Sequence, residues 1–243
     1  MKNKLFTLSV LMSVFMLSCT DSASDEFDDA NGNANARYIK TITSSSPADG
    51  SSTATINYDT SGKVISMSDG DESSNFIYEN NNLTSVTGEG DILQISQLYQ
   101  APYEAYDFGQ VLEYDAKRNP TNIRLFNEDI NGVKQEFSAN VTYDTAPNYF
   151  FHTLKAAGII DVLDKVQLNL NMQSMPKQIV QARVLLPVNN PTKVVIKNLR
   201  GATLSTTLIS YVYNSFNYPT SAIAVTTEGS KTVTTNFTFT YKE

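Results

Sequence analysis

The sequence predicts an all-β protein, mainly antiparallel: a long curled meander sheet or open barrel, with one helix at about 148–166 filling the concave face. Two observations carry that prediction. From residue 37 to the C-terminus, an alternating strand ending in tyrosine plus an acid or amide recurs, each time followed by turn-forming residues. In addition, Asn119-Pro120-Thr121, Asn190-Pro191-Thr192 and Tyr218-Pro219-Thr220 each place a proline where an alternating stretch begins. There its fixed φ suits a corner and its missing N–H costs the ladder nothing.

In chain order the sequence divides into a signal peptide (1–18), an acidic tether (19–36) and a single β-rich domain (37–243). Lys2 and Lys4 precede an apolar run from Leu5 to Leu17, interrupted only by Thr7, Ser9 and Ser13. Thirteen residues are too few to span a ~30 Å hydrocarbon core, and suit a cleaved leader. The run ends in Leu17-Ser18-Cys19, which resembles the bacterial lipobox, with Met16 where leucine is usual. That resemblance implies that Cys19, the chain's single cysteine, carries diacylglycerol and a palmitate-type acyl chain and becomes the mature N-terminus. Acyl chains contribute ~0.8 kcal/mol per buried methylene, so the expected membrane partner is reached through lipid rather than a spanning helix.

The segment from Thr20 to Ala36 holds five acids and one bulky apolar residue, Phe27, and on composition is expected to be a disordered spacer. Its early acids resemble the surface-export signal of Bacteroidota lipoproteins, which implies an outer-membrane location, periplasmic or surface-exposed, with the surface favoured. Asp21-Ser22-Ala23 and Asp144-Thr145-Ala146 match the acceptor pattern of Bacteroidota O-glycosylation, marking Ser22 and Thr145 as candidate modification sites.

The hairpin copies are 56–67, 76–86, 112–123, 141–148, 211–223 and the terminal 237–243, with tyrosines at 58, 78, 114, 143, 213 and 241. Asp59, Asn80 and Asn214 can bond backbone two residues on, and Gly62 tolerates positive φ. The pattern resembles the tyrosine–aspartate repeats of Rhs-type proteins. More closely, with lipobox and acidic spacer, it is similar to Bacteroidota lipoproteins that carry a curled, porin-like meander sheet. The 70-residue gap between Tyr143 and Tyr213 holds the predicted helix, with Asn148 as N-cap. Asp161 and Asp164 are expected to face away from Ile159, Ile160 and Leu163. Phe150 or Phe151 with those three residues is expected to pack on strand residues such as Leu168 and Leu170. Val166 to Met172 alternates as a strand, and 179–186 and 194–196 are further candidates.

Chemistry is narrowly bounded. Residues 37–243 carry 16 basic and 20 acidic residues, a net charge of −4, so nucleic acid is not an expected partner. One histidine and one cysteine leave no multi-imidazole or cysteine-rich metal site, and no cofactor is called for. His152 has the setting of a core histidine, and no catalytic residue is assigned. Asp69-Gly70-Asp71-Glu72 reads as a hairpin tip rather than a calcium loop, since the twelfth position is Asn80. Tyr99, Tyr103 and Tyr106 could form a stacking platform for a glycan or peptide, or could pack over one end of the sheet. Three function classes follow. The first is a non-enzymatic, lipid-anchored envelope protein, binding or structural, with an envelope protein as a conceivable partner. The second is a glycan- or peptide-binding accessory of nutrient uptake, and the third an envelope hydrolase.

Overall fold

The computed structural model describes residues 22–32, 34–48, 50–100, 103–104, 110–128, 134–169 and 179–243. Strand accounts for 57% of the structure, dominated by one antiparallel sheet of thirteen strands. In chain order the elements are α1 (Ala23–Asn31), β1 (Ile39–Ser46), β2 (Gly50–Tyr58), β3 (Val64–Ser68), β4 (Ser73–Glu79), β5 (Asn82–Gly88), β6 (Asp91–Gln94) and the single turn α2 (Ile95–Leu98). Then come β7 (Tyr103–Glu104), β8 (Gln110–Tyr114), β9 (Pro120–Glu128), β10 (Lys134–Pro147), α3 (Phe151–Ala156), α4 (Ile159–Leu163), β11 (Gln167–Asn169) and β12 (Ile179–Gln181). A 3₁₀ turn (Ala182–Leu185), β13 (Asn189–Asn198), β14 (Thr203–Tyr213), β15 (Pro219–Glu228) and β16 (Lys231–Tyr241) complete the chain.

The large sheet runs β6-β5-β4-β3-β2-β1-β16-β15-β14-β13-β10-β9-β8, open at β6 and β8. It is a meander of hairpins in two halves, joined where β1 pairs with β16. β12, β11 and β7 form a small separate sheet.

The repeated tyrosine has a mechanical role. Tyr58 and Tyr241 end the second strand of a hairpin, Tyr78 stands one residue before the end of β4, and Tyr143 lies four residues inside the end of β10. Each donates its hydroxyl to the carbonyl of the residue that opens the first strand: Ile39, Val64, Pro120 and Pro219, at 2.6, 2.6, 2.8 and 2.7 Å. Tyr211, two residues before the end of β14, donates to the carbonyl of Pro191, the third residue of β13, at 3.1 Å. In these hairpins the hydroxyl latches the open end, whereas Tyr114 donates to Val184 O and Tyr213 to Asp144.

The turns that follow share one construction. Asp59 Oδ1 accepts from the Ser61 and Lys63 amides, Asp115 Oδ1 from Lys117 and Asn119, and Asn214 Oδ1 from Phe216 and Tyr218. The fourth residue of each turn is left-handed: Gly62, Arg118 and Asn217, at φ 91°, 68° and 61°. The copy at 141–148 departs from this. Asp144 there accepts a hydrogen bond from Tyr213, and the chain enters α3 instead of another strand.

The expected helix at 148–166 is two short helices, because Gly158 takes φ 73° between them. A Cβ at Gly158 would also lie 3.1 Å from Leu83 Cβ, so the sheet approaches the break closely. Asn148 is not the expected N-cap: the cap is Phe150, with no side-chain capping bond, and Asn148 lies two residues before it, accepting the Phe150 amide on its side chain. One side of the segment covers the sheet: Tyr149, Phe150, Ala157 and Ile159 pack with Ile39, Ile56, Val64 and Phe239.

The tether expectation fails for residues 22–31. Ser22 and Asp25 form a capping box, and Gly32 stops the helix in the left-handed conformation at φ 62°. Phe27 is wholly buried and stacks on Phe151 at 3.8 Å between ring centroids. Of the pair Phe150 or Phe151, Phe150 packs on the sheet, whereas Phe151 packs against α1, as does Ile160, which was expected on the sheet; the helices lie between sheet and α1. Asp161 is exposed as expected, whereas Asp164 Oδ1 accepts the Ala23 amide at 3.0 Å. Composition judged this segment by its single large apolar residue. One fully enclosed phenyl ring and two satisfied helix ends are enough when a partner surface is waiting.

Below α1 lies a buried amide network. Asn119, Asn189 and Asn190 have no exposed surface. Asn119 Oδ1 accepts the Val188 and Asn189 amides, and Asn189 Nδ2 donates to Asn31 Oδ1 and Ala146 O. The asparagines before Pro120 and Pro191 thus satisfy backbone at the strand entrances, which strand ladders alone would leave unpaired.

Candidate functional site: an apolar cavity

At the β4–β6 end of the sheet the layers do not close completely. They leave a cavity of about 620 Å³ whose lining side chains, among the described residues, are all apolar. The sheet contributes Leu83 and Val86 from β5 and Leu93 from β6, and α2 adds Ile95 and Leu98. The opposite wall is Ile159, Val162 and Leu163 of α4, with Val166 and Leu168 beyond it. Ala182, Leu185 and Leu186 close a third side. Ile95, Val162 and Leu168 are 4%, 7% and 4% exposed, so the floor is fixed, whereas Leu93 at 45% stands at the rim. Leu163 is half-buried and packs in the same cluster as Leu168, as expected, but it faces this space rather than a filled core.

Local sequence explains the opening. Gly158 turns the chain so that α4 starts afresh, displacing its apolar stripe from the line of α3. β11 is only three residues, and Ile179–Leu186, expected as one strand, is β12 followed by a 3₁₀ turn. Leu170 and Met172 lie outside the described residues. The wall is thus built from short pieces, and short pieces with aliphatic side chains leave volume between them. Such volume with no polar partner stays dry or takes an apolar ligand.

Beside the cavity, Glu26, Arg118 and Arg183 line a separate recess that shares Leu186 with it. Arg183, flanked by the lining residues Ala182 and Leu185, has its guanidinium 3.3 Å from Glu26 and 3.8 Å from Asp164. Arg118 meets Glu26 at 2.9 Å. These contacts fasten α1 to the wall of the cavity.

In outline the chain is similar to porin-like proteins of Bacteroides. That of Bacteroides vulgatus matches at 11% identity and TM-score 0.43, over 85% of this chain and 99% of that one. That of Bacteroides uniformis matches at 13% identity and TM-score 0.40, over 84% and 98%. A hypothetical lipoprotein of Escherichia coli matches at 9% identity and TM-score 0.27, over 92% and 98%. No protein-family model and no curated protein matches the chain, so nothing beyond local turn chemistry ties its tyrosine turns to Rhs-type proteins. These TM-scores lie below 0.5, and the chemistry of the site comes from its own side chains.

The sequence-derived candidates fall as follows. Cys19 and Tyr106 lie outside the described residues. Tyr99 is 43% exposed, beside α2, with Lys165 Nζ 6.0 Å from its ring centroid. The Tyr103 backbone pairs in parallel with Leu168 on the small sheet. Ser22 is occupied as the helix cap, its hydroxyl bonded to Asp25, while Thr145 is exposed near the end of β10. Asp69 Oδ1 accepts the Glu72 amide in the tip between β3 and β4, and no group of three metal-ligating side chains occurs among the described residues.

His152 is 8% exposed and surrounded by the rings of Phe27, Tyr38, Phe151 and Tyr218 at 5.2 to 6.4 Å. Burial chiefly, then Lys155, hold its pKa below the ordinary imidazole value. Its Nε2 and the Tyr218 hydroxyl have no hydrogen-bond partner among the described residues.

The residues that sequence reading passed over are those of β5, β6 and α2. Their signal was present in the apolar spacing of Leu83, Val86, Leu93, Ile95 and Leu98. What could not be read was that α4, 61 to 80 positions downstream, would stand opposite them without filling the space.

Proposed function

We propose that this is a lipid-anchored cell-envelope protein that holds an acyl chain, or a ligand of similar shape and polarity, in the cavity between β5–β6 and α4. One observation carries the reading: a volume of about 620 Å³, open on one side, whose lining among the described residues is aliphatic throughout. A sugar would find no donor or acceptor there, and a peptide backbone would leave its amides unpaired at a cost of ~1–3 kcal/mol each. A methylene chain gains ~0.8 kcal/mol for each group removed from water. The protein acts by binding, without catalysis. Lipobox and acidic segment support anchoring at the outer membrane, and the surface-facing side follows the acidic segment.

The test uses residues 20–243, which carry no lipid, titrated with a fluorescent fatty acid in detergent-free buffer. One equivalent should bind and be displaced by palmitate. Leu93→Trp, at the rim where added bulk does not disturb the floor, should weaken binding at least tenfold while leaving the circular dichroism spectrum unchanged. Absence of binding, or binding indifferent to Leu93→Trp, would refute the assignment.

A further inference from the structure

The segment expected to hold the lipid away from the domain is instead folded against the cavity wall, and this bears on what fills the cavity. We infer that one acyl chain on Cys19 occupies the cavity of its own protein while the protein is not docked on a membrane. The inference rests on the acyl-binding reading above and names the resident ligand.

Three observations place the lipid there. First, α1 begins at the cavity wall: the Ala23 amide donates to Asp164 Oδ1 at 3.0 Å, and Asp164 lies between the lining residues Leu163 and Val166. Second, Arg183 draws the same corner together from the 3₁₀ side, through Glu26 of α1 and through Asp164. Third, only Thr20 and Asp21 separate Cys19 from the capping residue Ser22. At ~3.3–3.6 Å per residue, Cys19 can stand no more than about 10 Å from Ser22. A lipid on Cys19 is thereby tethered within that reach of the corner where Ala23 meets Asp164 and Arg183.

A ligand attached this closely has an effective concentration on the order of millimolar, so it displaces free acyl ligands of ordinary affinity. Bilayer and cavity offer the methylenes the same escape from water, so neither holds the chain irreversibly. Contact with a membrane then releases the chain from the cavity and anchors the protein.

Two measurements test this. Lipidated protein, its acylation verified by mass, is exchanged into detergent-free buffer and titrated with the fluorescent fatty acid beside unlipidated Cys19→Ala protein. Cys19→Ala should bind one equivalent and the lipidated protein less than a tenth of that. Equal binding by both overturns self-occupancy and leaves the acyl-binding reading standing. Failure of Cys19→Ala to bind overturns both. The second measurement incorporates a diazirine fatty acid biosynthetically and irradiates the detergent-free protein. Cross-links should map within one chain to 83–98 or 159–168. Cross-links only between chains would show that aggregation, not the cavity, hides the lipid.

Discussion

Replacing Phe27 by alanine removes the residue on which the docking of α1 depends. The phenyl ring has no exposed surface, stacks on Phe151 with 7° between planes, and meets His152 edge-on at 5.2 Å. A buried aromatic ring removes ~150–250 Å² from water, which at ~25 cal/mol per Å² is about 4–6 kcal/mol. Because neighbours relax around a truncation, measured phenylalanine-to-alanine losses centre on ~3–5 kcal/mol. A second limit applies. If α1 detaches whole, the loss stops at the docking energy of one nine-residue helix, its ion pairs and its capping bond to Asp164. A loss of about 3 kcal/mol is therefore expected, which for a domain of this size lowers Tm by ~6–12 °C. Urea denaturation of residues 20–243 gives the first number and differential scanning calorimetry the second. Limited proteolysis distinguishes detachment from repacking, since a detached helix is cut between residues 22 and 36. A change below about 1 kcal/mol with no new cleavage would refute the docking of α1, and with it the argument that Cys19 is held near the cavity.

Gly158→Ala should cost at least ~1 kcal/mol, because φ 73° penalises a side chain and the new Cβ meets Leu83 at 3.1 Å; an unchanged urea midpoint would contradict the two-helix break. Tyr241→Phe, which removes the hydroxyl latch on Pro219, should cost ~0.5–1.5 kcal/mol by the same assay, with the fold intact by circular dichroism. On acidification, the unfolded chain protonates His152 before the folded one does, since burial lowers the folded pKa from 6.5. Stability complete above 6.5 should therefore fall as pH drops through that value, and His152→Gln should abolish the fall measured between pH 7.5 and 5. At the alkaline end Tyr78, Tyr114 and Tyr218 are pushed up to about 12 by burial, so stability present below pH 10 is lost as pH rises toward 12. With no tryptophan to interfere, tyrosinate absorbance should rise together with loss of ellipticity; a smooth titration near 10 would count against it.

The hairpins were legible because each carries its instructions within about a dozen residues. Asp59 and Asn214 hold their own turns, and Tyr58 and Tyr143 reach the strand beside them. Alternation, turn chemistry and the latch all act locally, so they survive as sequence pattern. The helices were half legible. Apolar spacing at 149–163 showed that something would cover the sheet, but whether Gly158 sits inside a helix or between two depends on how near Leu83 comes. The helix from Ala23 to Asn31 was misread because composition weighs bulk. Its capping box Ser22–Asp25 and its stop at Gly32 were in the sequence all the same. The cavity was not legible at all. Its walls come from residues 83–98, 159–168 and 182–186, and a void is a property of how far apart they stand.

The pairing of β1 with β16 has a kinetic consequence. Thr41 and Thr240 share a hydrogen bond across 199 positions of chain, while most other ladders join neighbours in sequence. The hairpins of each half can form as soon as they exist, but the seam between halves must wait for the final strand. Until β16 arrives, β1 and β15 are two long unpaired edges, the kind of surface that recruits strands from other molecules. The last dozen residues therefore decide whether two half-sheets become one protein or the start of an aggregate, and loss of even a short C-terminal piece should be far more damaging than its few side-chain contacts suggest.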